Sequence, residues 1–215
     1  MPLATSISVL IAAVLGGALG WWPLASWAAR SMHGDRMPLA TIRLVSAATT
    51  AVVWGVVVWR VGLEPVLPAV LAFTAASTVL AIVDLAEQRL PNRVIVPTLA
   101  VVAALLAGAS AVTGAWLPLV WALLGGAAMF AAYLLLALVS PASMGMGDVK
   151  LAGVIGMLLG WFGLNAWLIG LAGAFVIGGA IAIIALALGR VTLRGSIPFG
   201  PSMLAGALVA VLLVG

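Results

Sequence analysis

The chain has 215 residues, 66% of them apolar and only 7% charged, whereas a soluble domain carries about a quarter of its residues charged. No soluble core absorbs such a composition, so the bilayer is its solvent; the net charge of +4 is too small an excess to point to nucleic acid, because basic residues of membrane proteins gather in cytoplasmic loops. The absence of cysteine excludes disulfides, thiolate metal sites and cysteine nucleophiles.

Hydropathy predicts an all-α integral membrane bundle of about eight transmembrane helices joined by short loops. They run from Ser6 to Ala28, Ile42 to Val61, Val66 to Leu85, Val94 to Ala111, Leu117 to Val139, Val149 to Phe162, Ala166 to Leu188 and Ser202 to Val214. The first run has no basic region before it and is too long for a signal-peptide core, so it is expected to be a retained span. Pro65, Pro91, Pro141 and Pro201 all fall at predicted boundaries, where a missing amide donor does least harm. The sixth segment is short and glycine-rich, and Gly156 and Gly160 at four-residue spacing suit close helix packing. Trp21, Trp22, Trp116 and Trp161 fall near segment ends, where indole rings anchor at the membrane interface. No internal repeat supports an inverted-repeat transporter, and no segment forms a separate soluble domain.

Orientation follows from the basic residues. Arg30, Arg36 and Arg43 flank the first connection, Arg89 and Arg93 the third, Lys150 the fifth, and Arg190 and Arg194 the seventh; Arg60 alone lies on the other side. The face that carries the eight is expected to be cytoplasmic, with both termini outside.

Five carboxylates occur in the whole chain. Asp35 and Glu64 sit in short connections and read as solvated loop charges, and Glu87 follows the third segment. Asp84 ends a long apolar run and Asp148 opens the sixth segment. Ionisable groups at membrane depth are costly and mark functional sites, and these two reach the same cytoplasmic level. Peptide hydrolysis by a carboxyl pair needs one member to activate water and the other to protonate the carbonyl oxygen. Helix dipoles assign Asp148, at a helix N-terminus, the role of base and Asp84 that of acid. In Gly145-Met146-Gly147-Asp148 the missing side chains permit strained dihedrals and close approach of another main chain. Each acid taken alone also reads as an ordinary interfacial cap or turn. Lys150 either pairs with the site or faces lipid phosphate, the latter favoured. Ile197-Pro198-Phe199-Gly200-Pro201 interrupts the apolar sequence and reads either as a substrate-binding strand beside the aspartates or as a turn that starts the last helix. His33 has no second His or Cys near it, so it reads as solvated or facing lipid headgroups rather than as a metal ligand.

In these residues the chain resembles the type IV prepilin peptidases, or leader peptidases, among the GxGD-type membrane aspartyl proteases. Asp84 followed by Leu90-Pro91-Asn92 is similar to the first catalytic aspartate and its trailing segment, Gly145-Met146-Gly147-Asp148-Val149-Lys150-Leu151 to the second catalytic motif, and Ile197 to Pro201 to the family's C-terminal proline-glycine segment. The resemblance covers roughly Val66 to the C-terminus and takes 1–215 as a single polytopic domain with its catalytic core in 66–215. It implies catalysis by Asp84 and Asp148, with Gly145, Gly147, Lys150, Leu90, Pro91, Asn92, Pro198, Gly200 and Pro201 as motif or positioning residues. It implies no metal and no organic cofactor. Its implied partners are prepilin or pseudopilin-like precursors in the lipid bilayer, with no nucleic acid. The implied location is the bacterial plasma membrane, with the active site toward the cytoplasm and cleavage of a basic leader just before an apolar helix. Longer members add a cytoplasmic insertion with CxxC motifs and methylate the new N-terminus. The first connection here is only about Ala29 to Thr41 and has no cysteine, which points to a peptidase without methyltransferase activity. Two readings from other classes use the same acids differently: a proton-coupled transporter, and a non-catalytic assembly scaffold that tolerates loss of both.

Overall fold

A computed structural model describes residues 3–34, 37–140, 144–189 and 197–215; Asp35, Arg36, Pro141, Arg190 and Arg194 lie outside the described residues. The described residues form eight helical rods, as the hydropathy predicts. The first, α1, runs through Leu3–Leu19, a π-helical turn Gly20–Leu24 and Ala25–Ser31. It is followed by α2 (Leu39–Val61), α3 (Leu67–Glu87), α4 (Asn92–Thr113), α5 (Leu117–Val139), α6 (Met146–Trp161), α7 (Leu164–Ala187) and α8 (Gly200–Val214). Six of the rods are long and apolar enough to cross a membrane, and α8 is a shorter apolar helix. Among the described residues there is no strand.

The π turn holds Pro23, whose missing N–H interrupts the regular ladder. It places Trp21 and Trp22 within the first rod rather than at its end. Both remain exposed, and the Arg43 guanidinium lies over the Trp21 ring at 5.9 Å.

Glycine seams join the rods in antiparallel pairs. Gly16 and Gly20 of α1 lie against the backbone of α2 at Thr50 and Ser46. Gly156 and Gly160 lie against Gly125, Trp121 and Ala122 of α5, and Gly173 of α7 faces Gly206 of α8. Small residues let backbones approach where lipid supplies no hydrophobic force between helices. The four-residue glycine spacing in α6 thus serves bundle packing, as expected.

Among the six long rods α3 is the most enclosed, with 61% of its apolar window buried against 11% for α7. It is bordered by α2, α4 and α8 and by the second half of α1. The alternating direction of the rods brings the ends of α3 and α5 and the starts of α4, α6 and α8 to one end of the bundle. Among the described basic residues, Arg30, Arg43, Arg89, Arg93 and Lys150 belong to that end. Arg60 belongs to the other, where its Nε donates to the Leu212 carbonyl at 2.7 Å and its Nη2 to that of Leu213 at 3.2 Å. These are carbonyls that the end of a helix leaves unpaired, and a cation there also suits the helix dipole.

Candidate active site

Asp84 lies in the last turn of α3 and is only 4% exposed. The helix stops because Gln88 takes the left-handed conformation, φ 50°, and its N–H donates to the Asp84 carbonyl at 2.8 Å. The reversal turns Leu90 back toward the bundle. The Asp84 side chain reaches across to α8, where its Oδ2 accepts the Gly200 N–H at 3.0 Å. This approach needs a glycine: a Cβ on Gly200 would lie 2.7 Å from Asp84 Oδ2.

The segment from Ile197 to Pro201 is therefore a helix-start turn and not a strand. Ile197, Pro198 and Phe199 have no regular structure, and Pro201 stands in the first turn of α8, where its missing N–H costs nothing. Phe199 is held by two rings, that of Tyr133 at 6.4 Å between centroids and that of Phe175 at 5.5 Å. These tilted arrangements suit aromatic quadrupoles, and they anchor the residue just before the Gly200 N–H.

Asp148 lies in the first turn of α6. Its Oδ2 accepts the Gly145 N–H at 3.1 Å, and its own N–H donates to the Gly145 carbonyl at 3.0 Å. This reciprocal cap starts α6 at Met146 rather than at Val149, so Gly147 and Asp148 are helical. The strained glycine backbone expected here is absent: Gly145 has φ −79° and ψ 152°, open to any residue. The expected close approach does occur, with Leu90 as the neighbour. A Cβ on Gly147 would lie 2.8 Å from Leu90 Cβ.

Leu90 joins the two aspartate sites. It packs on Gly147, one residue before Asp148, and its Cδ2 would lie 3.2 Å from a Cβ on Gly200. Leu90 thus stands between the two carboxyl sites, and the ring of buried Tyr133 lies against Phe199, the residue before the Gly200 that holds Asp84. The dipole contrast drawn from the sequence does not separate their roles, because Asp84 also accepts from the start of a helix. Both carboxyls thus stand at helix N-termini.

The Leu90-Pro91-Asn92 segment links α3 to α4, with extended Pro91 preceding the helix. Lys150 Nζ donates to Asn92 Oδ1 at 2.9 Å. In place of the expected lipid phosphate its partner is a side chain of α4, so Lys150 ties the first turns of α6 and α4 together, on the side of α6 away from Asp148.

Two features escaped the sequence reading. Glu87 Oε1 accepts the Gly34 N–H at 2.8 Å and also the His33 N–H. Its Oε2 pairs with Arg89 Nε at 2.5 Å, and Arg89 Nη2 donates to the Ser31 carbonyl at 3.1 Å and contacts His33 Nδ1. His33 is exposed, in keeping with the solvated reading, and it is also part of a latch between the first connection and the end of the Asp84 helix. The second is Tyr133, whose only sequence signal is that it is the single tyrosine. Among the described residues no group of His, Cys, Asp or Glu could hold a metal ion.

A model of the type IV leader peptidase family matches residues 71–183, more than half of the chain. That window holds both aspartates, Leu90-Pro91-Asn92 and Gly145 to Lys150. Comparison with curated proteins and with solved structures returns no match.

Proposed function

The chain belongs to the type IV leader peptidase family, and from that membership we propose that it is an aspartic endopeptidase in which Asp84 and Asp148 activate the water. The observation that carries the reading is the meeting of three separate segments around two acids: Gly200 on Asp84, Leu90 on Gly147, and Gly145 on Asp148.

In the proposed reaction one carboxylate takes a proton from water as its oxygen attacks the scissile carbonyl carbon. The other carboxyl gives its proton to the carbonyl oxygen, and collapse of the diol sends a proton to the leaving amine. The pair acts as one unit sharing a proton. The substrates are prepilin or pseudopilin-like precursors, cut between a basic leader and an apolar helix. Cleavage occurs at the cytoplasmic face of the bacterial plasma membrane, the side to which the basic residues point. No metal or organic cofactor takes part, and with the short first connection this is a peptidase without N-methyltransferase activity. Proton relay across a bilayer needs acids spread through its depth, and both acids here belong to one end of the bundle.

The test is co-expression with a tagged precursor, comparing wild type with Asp84→Asn and Asp148→Asn at matched membrane levels. Each substitution is expected to abolish shortening of the precursor. Continued cleavage by both variants would reject the aspartate pair and favour a scaffold or a different site.

A further inference from the structure

Resting on the reading of the chain as a peptidase that cuts just before an apolar helix, we propose that the groove between α2, α3 and α8 seats the first turn of that helix. Hydroxyl oxygens on α3 would accept from its unpaired N–H groups. The groove has a volume of about 170 Å³. Its α3 wall includes Ala81, Ser77 and Thr74, which at helical spacing continue the stripe on which Asp84 itself lies. Its α8 wall includes Pro201, Leu204 and Leu208, starting at the residue after the Gly200 that holds Asp84. A chain leaving the aspartates along this stripe passes into the groove without crossing another rod.

The chemistry of the wall suits the start of a helix. The first four N–H groups of any helix lack partners within it, and inside hydrocarbon each must be satisfied. Ser77 Oγ donates its proton to the Phe73 carbonyl at 2.8 Å, and Thr74 Oγ1 donates to the Val70 carbonyl at 2.9 Å. With those protons committed, the lone pairs that remain can only accept. Ser77 lies seven residues before Asp84, about 10 Å deeper along α3. Two extended residues after the scissile bond span about 7 Å and bring the first helical N–H groups close to that depth.

Two other grooves fit less well. One of about 320 Å³ between α4, α5 and α6 is apolar except for Lys150, whose ammonium donates and cannot accept. Its α6 wall of Lys150, Gly153 and Met157 also lies on the opposite side of that helix from Asp148. The other groove, lined by Trp121 and Trp167, opens at the end of the bundle away from the aspartates.

Because the chain has no cysteine, Ser77→Cys and Leu99→Cys each introduce a unique thiol, Leu99 lying in the α4–α5–α6 groove. Each is combined with Asp148→Asn to hold the precursor uncut and co-expressed with a precursor carrying one cysteine in the first turn of its apolar helix. Membranes are then oxidised with copper phenanthroline. The disulfide adduct is expected to be at least about tenfold more abundant at position 77 than at position 99; an equal or reversed ratio overturns the proposal. In the otherwise wild-type chain, Ser77→Leu fills the groove and is expected to raise KM about tenfold with kcat within about twofold, a factor of ten being about 1.4 kcal/mol. An unchanged KM also overturns it. The nearly isosteric Ser77→Cys keeps the adduct test decisive if Ser77→Leu is lost from membranes. Failure of the wild-type chain to cut any precursor sinks the peptidase reading and the groove together, whereas cleavage with the adduct at position 99 sinks the groove alone.

Discussion

The main-chain N–H of Gly200 donates to Oδ2 of Asp84 at 3.0 Å across 116 residues of sequence, so the start of the last helix fixes the orientation of a buried acid. Any side chain at position 200 must displace that carboxyl, since a Cβ there would stand 2.7 Å from Oδ2. If Asp84 is one of the proposed catalytic pair, Gly200→Ala is expected to lower precursor cleavage about 100-fold, the cost of moving such a group by about 1 Å. Gly179→Ala on α7, where nothing lies within 4 Å, is expected to leave it unchanged. Cleavage rates at matched membrane levels check both.

The packing of Leu90 on Gly147 predicts a compensating pair. Gly147→Ala places a methyl 2.8 Å from Leu90 Cβ and pushes the first turn of α6, with Asp148, away from the α3–α4 connection. Activity is expected to fall about tenfold, and adding Leu90→Gly, which removes that Cβ, to restore part of it, giving a favourable coupling on the order of 1 kcal/mol between contacting residues. A double variant that simply multiplies the two single losses would show that Leu90 does not set the position of Asp148.

Much of this arrangement is legible in the sequence because two simple rules act at long range. An even number of rods returns Asp84, Asp148 and Gly200 to one end whatever the details of packing, and glycine spacing in α6 announces a close seam. What the sequence cannot state is register. That Gly200 rather than a neighbour meets Asp84 depends on how far α8 slides along α3, and the rings of Tyr133 and Phe175 that hold Phe199 come from two other rods. The start of α6 is misread for a local reason: hydropathy begins the helix at the apolar Val149, whereas the reciprocal bonds of Gly145 and Asp148 begin it at Met146. The Glu87 latch is hidden because its partners lie more than fifty residues away in the first connection.

That latch is expected to contribute to stability more than to chemistry. Glu87→Ala removes the acceptor for the His33 and Gly34 N–H groups and the partner of Arg89. Arg89 is 42% exposed, so water screens the pair, and the loss is about 1 kcal/mol or less. For a chain of this size that lowers the melting temperature by about 2–4 °C. Asp84 keeps its bond to Gly200, so the cleavage rate of the protein that remains folded is expected to stay within about threefold of wild type. Thermal unfolding in detergent, read beside cleavage at a temperature well below the transition, separates the two effects.

The bond from Lys150 Nζ to Asn92 Oδ1 at 2.9 Å makes a sharper distinction possible. If Lys150 acts by tying the first turn of α6 to the first residue of α4, either end of the tie is equally dispensable or equally required. Lys150→Met and Asn92→Leu are then each expected to lower cleavage about fivefold, equivalent to about 1 kcal/mol for one exposed charge-assisted bond. The double variant should be no worse than the weaker single, because residues acting through one contact are not additive. A lysine that instead binds the precursor directly would give another pattern: Lys150→Met far more damaging than Asn92→Leu, the loss appearing in KM, and the double variant following the lysine alone. Steady-state cleavage of one precursor by the four proteins decides between the tie and direct binding.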